Sequence, residues 1–101
     1  MQCELCGRQA SLTRHHLIPK RTHRFGVVRS KYSKTELNSL IAYLCKPCHR
    51  HVHRTLKERE LAVHFYSVEL LRSHPEIEAF VDWLKDKPDD FLPRLSRRKK
   101  T

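Results

Sequence analysis

The side chains most able to do chemistry cluster in Cys45-Lys46-Pro47-Cys48-His49-Arg50-His51-Val52-His53. Cys45 and Cys48, with two residues between them, make half of a tetrahedral zinc site. Pro47 suits the first turn of a helix, where its missing N–H costs nothing. On that helix His49 and His53 lie four apart and project from one face, a spacing at which two imidazoles can hold one ion. His51 falls on the far side. The segment thus offers ligands for two metals: thiolates suited to a structural zinc and imidazoles suited to a working cation.

The other half of the sulfur set is Cys3-Glu4-Leu5-Cys6-Gly7, where the glycine allows the tight turn that aims both sulfurs at one point. With 38 residues between Cys6 and Cys45, something must be built inside the gap. Cys3, Cys6, Cys45 and Cys48 are read together as a four-cysteine Zn²⁺ site, because no export signal precedes them and two CxxC pairs point to reduced metal ligands. A second imidazole pair, His15-His16, lies in Leu12-Thr13-Arg14-His15-His16-Leu17-Ile18-Pro19. Leu12, Thr13 and Leu17-Ile18 favour a strand, which Pro19 ends. Neighbours on a strand face opposite ways, so the two histidines are expected to do different jobs, one on a metal and one towards a substrate.

The elements that must position these groups follow from pattern. Residues 40–44, Leu-Ile-Ala-Tyr-Leu, read as a second strand paired with 12–18. Strand, connection, strand and the helix from Pro47 give a ββα unit that brings His15 or His16 towards His49 and His53. Residues 20–34 hold six Lys/Arg and no acid and read as a loop facing phosphate. Beyond His53 the pattern is helical. Thr55-Leu56-Lys57-Glu58 and Ser73-His74-Pro75-Glu76 look like capping boxes, and Ser67 to Arg72 suits a short helix. Ile77, Phe80, Val81 and Leu84 form an apolar stripe beside Trp83. The fold class is therefore α+β. Residues 1–54 are read as the zinc-stapled core, 55–87 as a helical appendix packed on it, and 88–101 as a basic tail expected to be disordered.

The chain has 101 residues and a net charge of +10. A core this small usually needs a staple such as zinc. The charge is unevenly spread: residues 1–54 carry 11 Lys/Arg and two acids, 55–90 carry five and nine, and 91–101 carry five and none. The positive field lies on the metal-binding part and the tail, which suggests nucleic acid. No apolar run is long enough to span a membrane. An intracellular location, cytoplasmic or nucleoid-associated, is expected.

Cys3-Glu4-Leu5-Cys6, His15-His16-Leu17-Ile18-Pro19 and Leu44-Cys45-Lys46-Pro47-Cys48-His49 with His53 together resemble an HNH endonuclease of the ββα-metal (His-Me finger) class, in the variety with a four-cysteine zinc. The resemblance covers residues 3–53 and implies a metal-dependent phosphodiesterase acting on DNA, with a double-stranded substrate expected. It implies His16 as general base and His15, His49 and His53 as ligands of a catalytic divalent ion: Mg²⁺, Mn²⁺, Ni²⁺ or Zn²⁺. Arg14, Lys20, Arg21 and Arg24 are the candidate contacts to the backbone. The family's asparagine, which orients the loop bearing the base, corresponds to Leu40; Asn38, two residues earlier, is the nearest substitute. The competing readings are a non-catalytic zinc module that binds nucleic acid and a zinc-organised interaction domain using residues 55–87.

Overall fold

The computed structural model describes residues 2–93; of the basic tail, residues 94–101 lie outside them. The described residues form a small α+β fold with a two-stranded sheet and six helices. Strands β1 (Leu12–His16) and β2 (Ile41–Cys45) pair antiparallel, with Thr13 opposite Leu44 and His15 opposite Ala42. The first strand is shorter than the expected 12–18, yet Leu17 N–H still reaches the Leu40 carbonyl at 3.0 Å. From Cys45 the chain turns directly into α3 (Lys46–Thr55), with Pro47 in its first turn.

The connection between the strands is more ordered than its composition suggests. A 3-10 turn (Lys20–Thr22) leads to α1 (Gly26–Arg29) and α2 (Lys34–Ser39). Ser33 caps α2: its hydroxyl accepts from Glu36 N–H at 3.1 Å, and the Glu36 carboxylate accepts from Ser33 N–H at 2.8 Å. Ser33-Lys34-Thr35-Glu36 is a capping-box sequence, which outweighs the loop character that the surrounding charge implies. Ile18, Val28, Leu37 and Ala62 form a small core beneath this connection, with Phe25 and Tyr32 against it.

Three helices complete the described chain: α4 (Glu58–Val63), α5 (Val68–Ser73) and α6 (Pro75–Leu84). Two expected caps are displaced. Thr55 is still inside α3, whose last turn closes with Leu56 N–H on the Val52 carbonyl, so α4 starts later, with Lys57 N–H held by the Glu60 carboxylate. Ser73 turns back to the Leu70 carbonyl, and His74 Nδ1 takes the Glu76 N–H at the start of α6. The predicted stripe is in place: Ile77, Val81 and Leu84 are buried against α3 and α5, with Phe80 half-buried. They share one core with Leu44, Val52, Leu56 and all four cysteines. The start of the 88–101 segment is held down: Phe91 packs on that core, and the Arg8 guanidinium donates to the carbonyls of Pro88 (2.6 Å) and Phe91 (3.1 Å). No helix among the described residues is long and apolar enough to cross a membrane.

Candidate metal centres

The sulfur cage is built from two turns. Gly7 adopts φ +80°, open to glycine at little cost, and its N–H closes the first turn on the Cys3 carbonyl at 2.9 Å. Cys6 N–H points at Cys3 Sγ, 3.4 Å away, an orientation that favours a thiolate. The turn is fastened to β2 by Glu4 N–H on the Tyr43 carbonyl (2.9 Å) and Tyr43 N–H on the Glu4 carboxylate (2.7 Å). Cys45 and Cys48 come from the end of β2 and the first turn of α3. All four sulfurs are buried and lie within 4.8 Å of one another. Such a cage can hold a structural metal ion such as zinc. The donor set fits that ion in its chemistry as well. Hydrogen bonds from Cys45 and Cys48 pull the Cys3 thiol pKa down, while giving those bonds pushes Cys45 up to about 11. Thiols buried this close together can ionise together only around a cation at their centre. Arg8, 3% exposed, adds a positive charge with Nη2 at 3.7 Å from Cys45 Sγ.

The second cluster joins β1 to α3. His15 faces inward from the strand, and His49 and His53 stand one turn apart on the helix. Their ring centroids are 4.9–5.3 Å apart, and one ligand nitrogen of each lies within 4.8 Å of the others. His15 is fully buried, and neither of its ring nitrogens has a hydrogen-bond partner among the described residues. Buried polar nitrogens seldom go unpaired, so this arrangement fits a metal ligand. Burial first, and then the neighbouring His49, His53 and His16, hold the His15 pKa down to about 3, which keeps it neutral as a ligand must be.

Thr13 fixes the orientation of His49. Its Oγ1 lies 2.9 Å from the Leu44 carbonyl and 2.7 Å from His49 Nδ1. The one hydroxyl hydrogen goes to the carbonyl, so the imidazole Nδ1–H donates to Oγ1 and leaves Nε2 with the free lone pair. Thr13 is two residues from His15 on the same strand and therefore shares its face, a sequence signal for this role. The imidazoles open into a shallow cleft of about 220 Å³ lined by Thr13, Lys46, His49, Arg50 and His53. Lys46 and Arg50 flank the histidine pair as exposed cations, a consequence of helical spacing that composition alone did not single out.

His16 follows His15 but is only half-buried. It is near enough to His15 and His49 that its charge bears on both. Its own pKa is lowered by burial first, then by Lys20, Arg14 and His23. The loop after it is braced by three contacts. His23 Nε2 lies 2.7 Å from the Ile18 carbonyl and must donate to it, Thr22 Oγ1 donates to the Pro19 carbonyl at 2.6 Å, and Leu17 N–H bonds the Leu40 carbonyl. Asn38 lies exposed on α2, and no hydrogen bond joins its side chain to that loop among the described residues. Lys20, Arg21 and Arg24 are exposed around a separate cavity, and Arg14 projects outward from β1. His51 stacks on Phe80, with ring centroids 4.1 Å apart.

The chain is 38% identical over 96 residues to "Uncharacterized protein YisB" of Bacillus subtilis (strain 168), a span covering 94% of this chain and 84% of that protein. The chain belongs to the YisB family. Membership of the YisB family extends over nearly the whole fold, helices α4 to α6 included, rather than over the cysteine and histidine motifs alone. No family model matches the chain, and no solved structure matches it.

Proposed function

We propose that this protein is a metal-dependent endonuclease of the HNH, ββα-metal type, hydrolysing phosphodiester bonds in DNA. The observation that carries the reading is the buried His15, without a hydrogen-bond partner among the described residues, converging with His49 and His53, with His16 beside them. A merely basic binding module needs positive charge but has no use for a buried imidazole without a partner. The interaction-domain reading is favoured by no comparable feature.

His15, His49 and His53 would hold the divalent ion, and three imidazoles suit Zn²⁺, Ni²⁺ or Mn²⁺ better than Mg²⁺. When bound, such an ion supplies a Lewis acid for a phosphate oxygen. His16 stays neutral near pH 7 because burial and the Lys20 and Arg14 charges disfavour its protonation, so it can accept a proton from water. Lys46 and Arg50 at the cleft offer cations to a phosphate backbone, and Arg14 on β1 adds a charge that bears on His16. The His23, Thr22 and Leu40 contacts hold the His16 loop, the task that the family gives to asparagine. The sulfur cage fixes the start of α3, and with it the direction in which His49 projects.

The test is nicking of supercoiled plasmid in the presence of Mg²⁺, Mn²⁺, Ni²⁺ or Zn²⁺. The reading expects cleavage by the intact chain and a loss of at least about a hundredfold in His16→Ala, with unchanged fold and zinc content. Equal cleavage by His16→Ala, or binding without cleavage under every ion, would overturn it.

A further inference from the structure

Between the strands, the chain builds a second site, most of whose cations take no part in the cleavage chemistry. An open cavity of about 740 Å³ is lined by Lys20, Arg21, Arg24, Arg29 and Lys34, with His23, Tyr32, Leu37 and Asn38. Five cations and no carboxylate face it. Among the described residues, only Arg21 of these five has an ion pair, a 3.7 Å contact to Glu58 with both side chains well exposed. Four cations held close together without acids repel one another, an arrangement that an anion relieves.

The floor beneath them is folded. Leu37 is buried in the small core of Ile18, Val28 and Ala62, and Tyr32 packs against it. The Ser33–Glu36 box fixes the start of α2, which carries Lys34, Leu37 and Asn38. The cations are thus presented by short ordered elements rather than by a loose loop. The cavity also lies next to the candidate base: Lys20 and His23 line it and are close enough to bear on His16.

We propose that this cavity binds backbone phosphate of the same nucleic-acid strand, one or more nucleotides away from the phosphate presented to the imidazole cluster. This rests on the nuclease reading for its partner, but not on cleavage itself. A volume of this size is in the range of ligand sites and accepts a phosphate with its attached nucleotide. Arg29 and Lys34, set apart from the His16 loop, carry the contact most specific to the cavity. The site would make cleavage depend on substrate length, because a short oligonucleotide could not occupy both places.

The test is binding of a fluorescein-labelled 16-mer, single-stranded and duplex, by the zinc-loaded full chain carrying His16→Ala. Arg29→Ala/Lys34→Ala should weaken binding about tenfold near 0.1 M salt and lower the salt slope by about one to two. Arg29→Lys/Lys34→Arg should restore it. The control pair Lys85→Ala/Lys87→Ala should change affinity less than about twofold by comparison. Equal losses in both pairs, or none in the cavity pair, would overturn the proposal. So would complete displacement of the oligonucleotide by millimolar inorganic phosphate, which would assign the cavity to the free ion. If the cavity pair behaves as expected while the chain with His16 intact cuts nothing, the nuclease reading fails and the phosphate site stands. If the chain cuts DNA while the cavity pair binds as tightly as its parent, the phosphate site fails and the nuclease reading stands.

Discussion

Thr13 Oγ1 stands 2.7 Å from His49 Nδ1 and spends its hydroxyl hydrogen on the Leu44 carbonyl. The strand pairing thereby decides which nitrogen of a helix histidine is free. Thr13→Val keeps the shape and removes the acceptor. It should weaken divalent-ion binding at the histidine cluster by about 10- to 100-fold, the usual cost of losing such a partner. The sulfur-bound metal should stay, and Thr13→Ser should recover most of the affinity. Competition titration with a metal indicator reads both sites.

The buried state of His15 makes a pH prediction. Its folded pKa is about 3, below the ordinary 6.5. The unfolded chain therefore takes up a proton as pH falls through 6.5, and the folded chain does not. Stability from this group is complete above pH 6.5 and is lost between there and about 3, at about 1.4 kcal/mol per pH unit. Urea unfolding without added divalent ion, at pH 7.5 to 5.5, should show a shallower slope in His15→Gln than in the natural chain, by about half a proton on average and approaching about one proton at the acid end.

His23 performs a brace that its sequence position did not reveal. Its Nε2 is the partner of the carbonyl of Ile18, which is fully buried. His23→Ala leaves that carbonyl unpaired and should cost about 1–3 kcal/mol. In the nuclease reading it should also slow cleavage, whereas His64→Ala, at an exposed position, should do neither. Denaturant melts and nicking rates on the two variants check this.

These three residues mark what pattern could and could not reveal. Both CxxC pairs, the β1–β2 pairing, the helix from Pro47 and the stripe of α6 were legible, because each rests on local spacing. The ββα order brought His15 or His16 towards His49 and His53, and the family resemblance rather than the order singled out His15. The role of Arg8 depends on contacts across the fold, which no local period encodes. That of His23 depends on an irregular loop contact five residues back, and for Thr13 the strand period gives the face but not the His49 partner. The order within residues 20–39 was hidden by its charge, which reads as loop unless the Ser33–Glu36 box and the buried Val28 and Leu37 are weighed against it.

The sulfur cage sits inside the main core, beside Leu5, Leu44 and Val52. Without a metal the four sulfurs take up protons, and the buried Arg8 loses the thiolate charge that balances its own. Structural zinc contributes on the order of 10–16 kcal/mol in small domains, as much as or more than the roughly 5–15 kcal/mol that separates folded from unfolded chains. Strong chelation, or Cys48→Ser, should therefore abolish the cooperative thermal transition. Circular dichroism and amide dispersion in NMR spectra would register the loss.

The proposed reading turns on two separate metal positions, one of sulfur and one of imidazole. The most direct measurement is the metal content of the full chain by mass spectrometry under native conditions, after equilibration with excess Zn²⁺. Two ions per chain are predicted, falling to one in His15→Gln/His53→Gln with the fold intact. A single ion in the natural chain, unchanged in that variant, would contradict the two-metal arrangement.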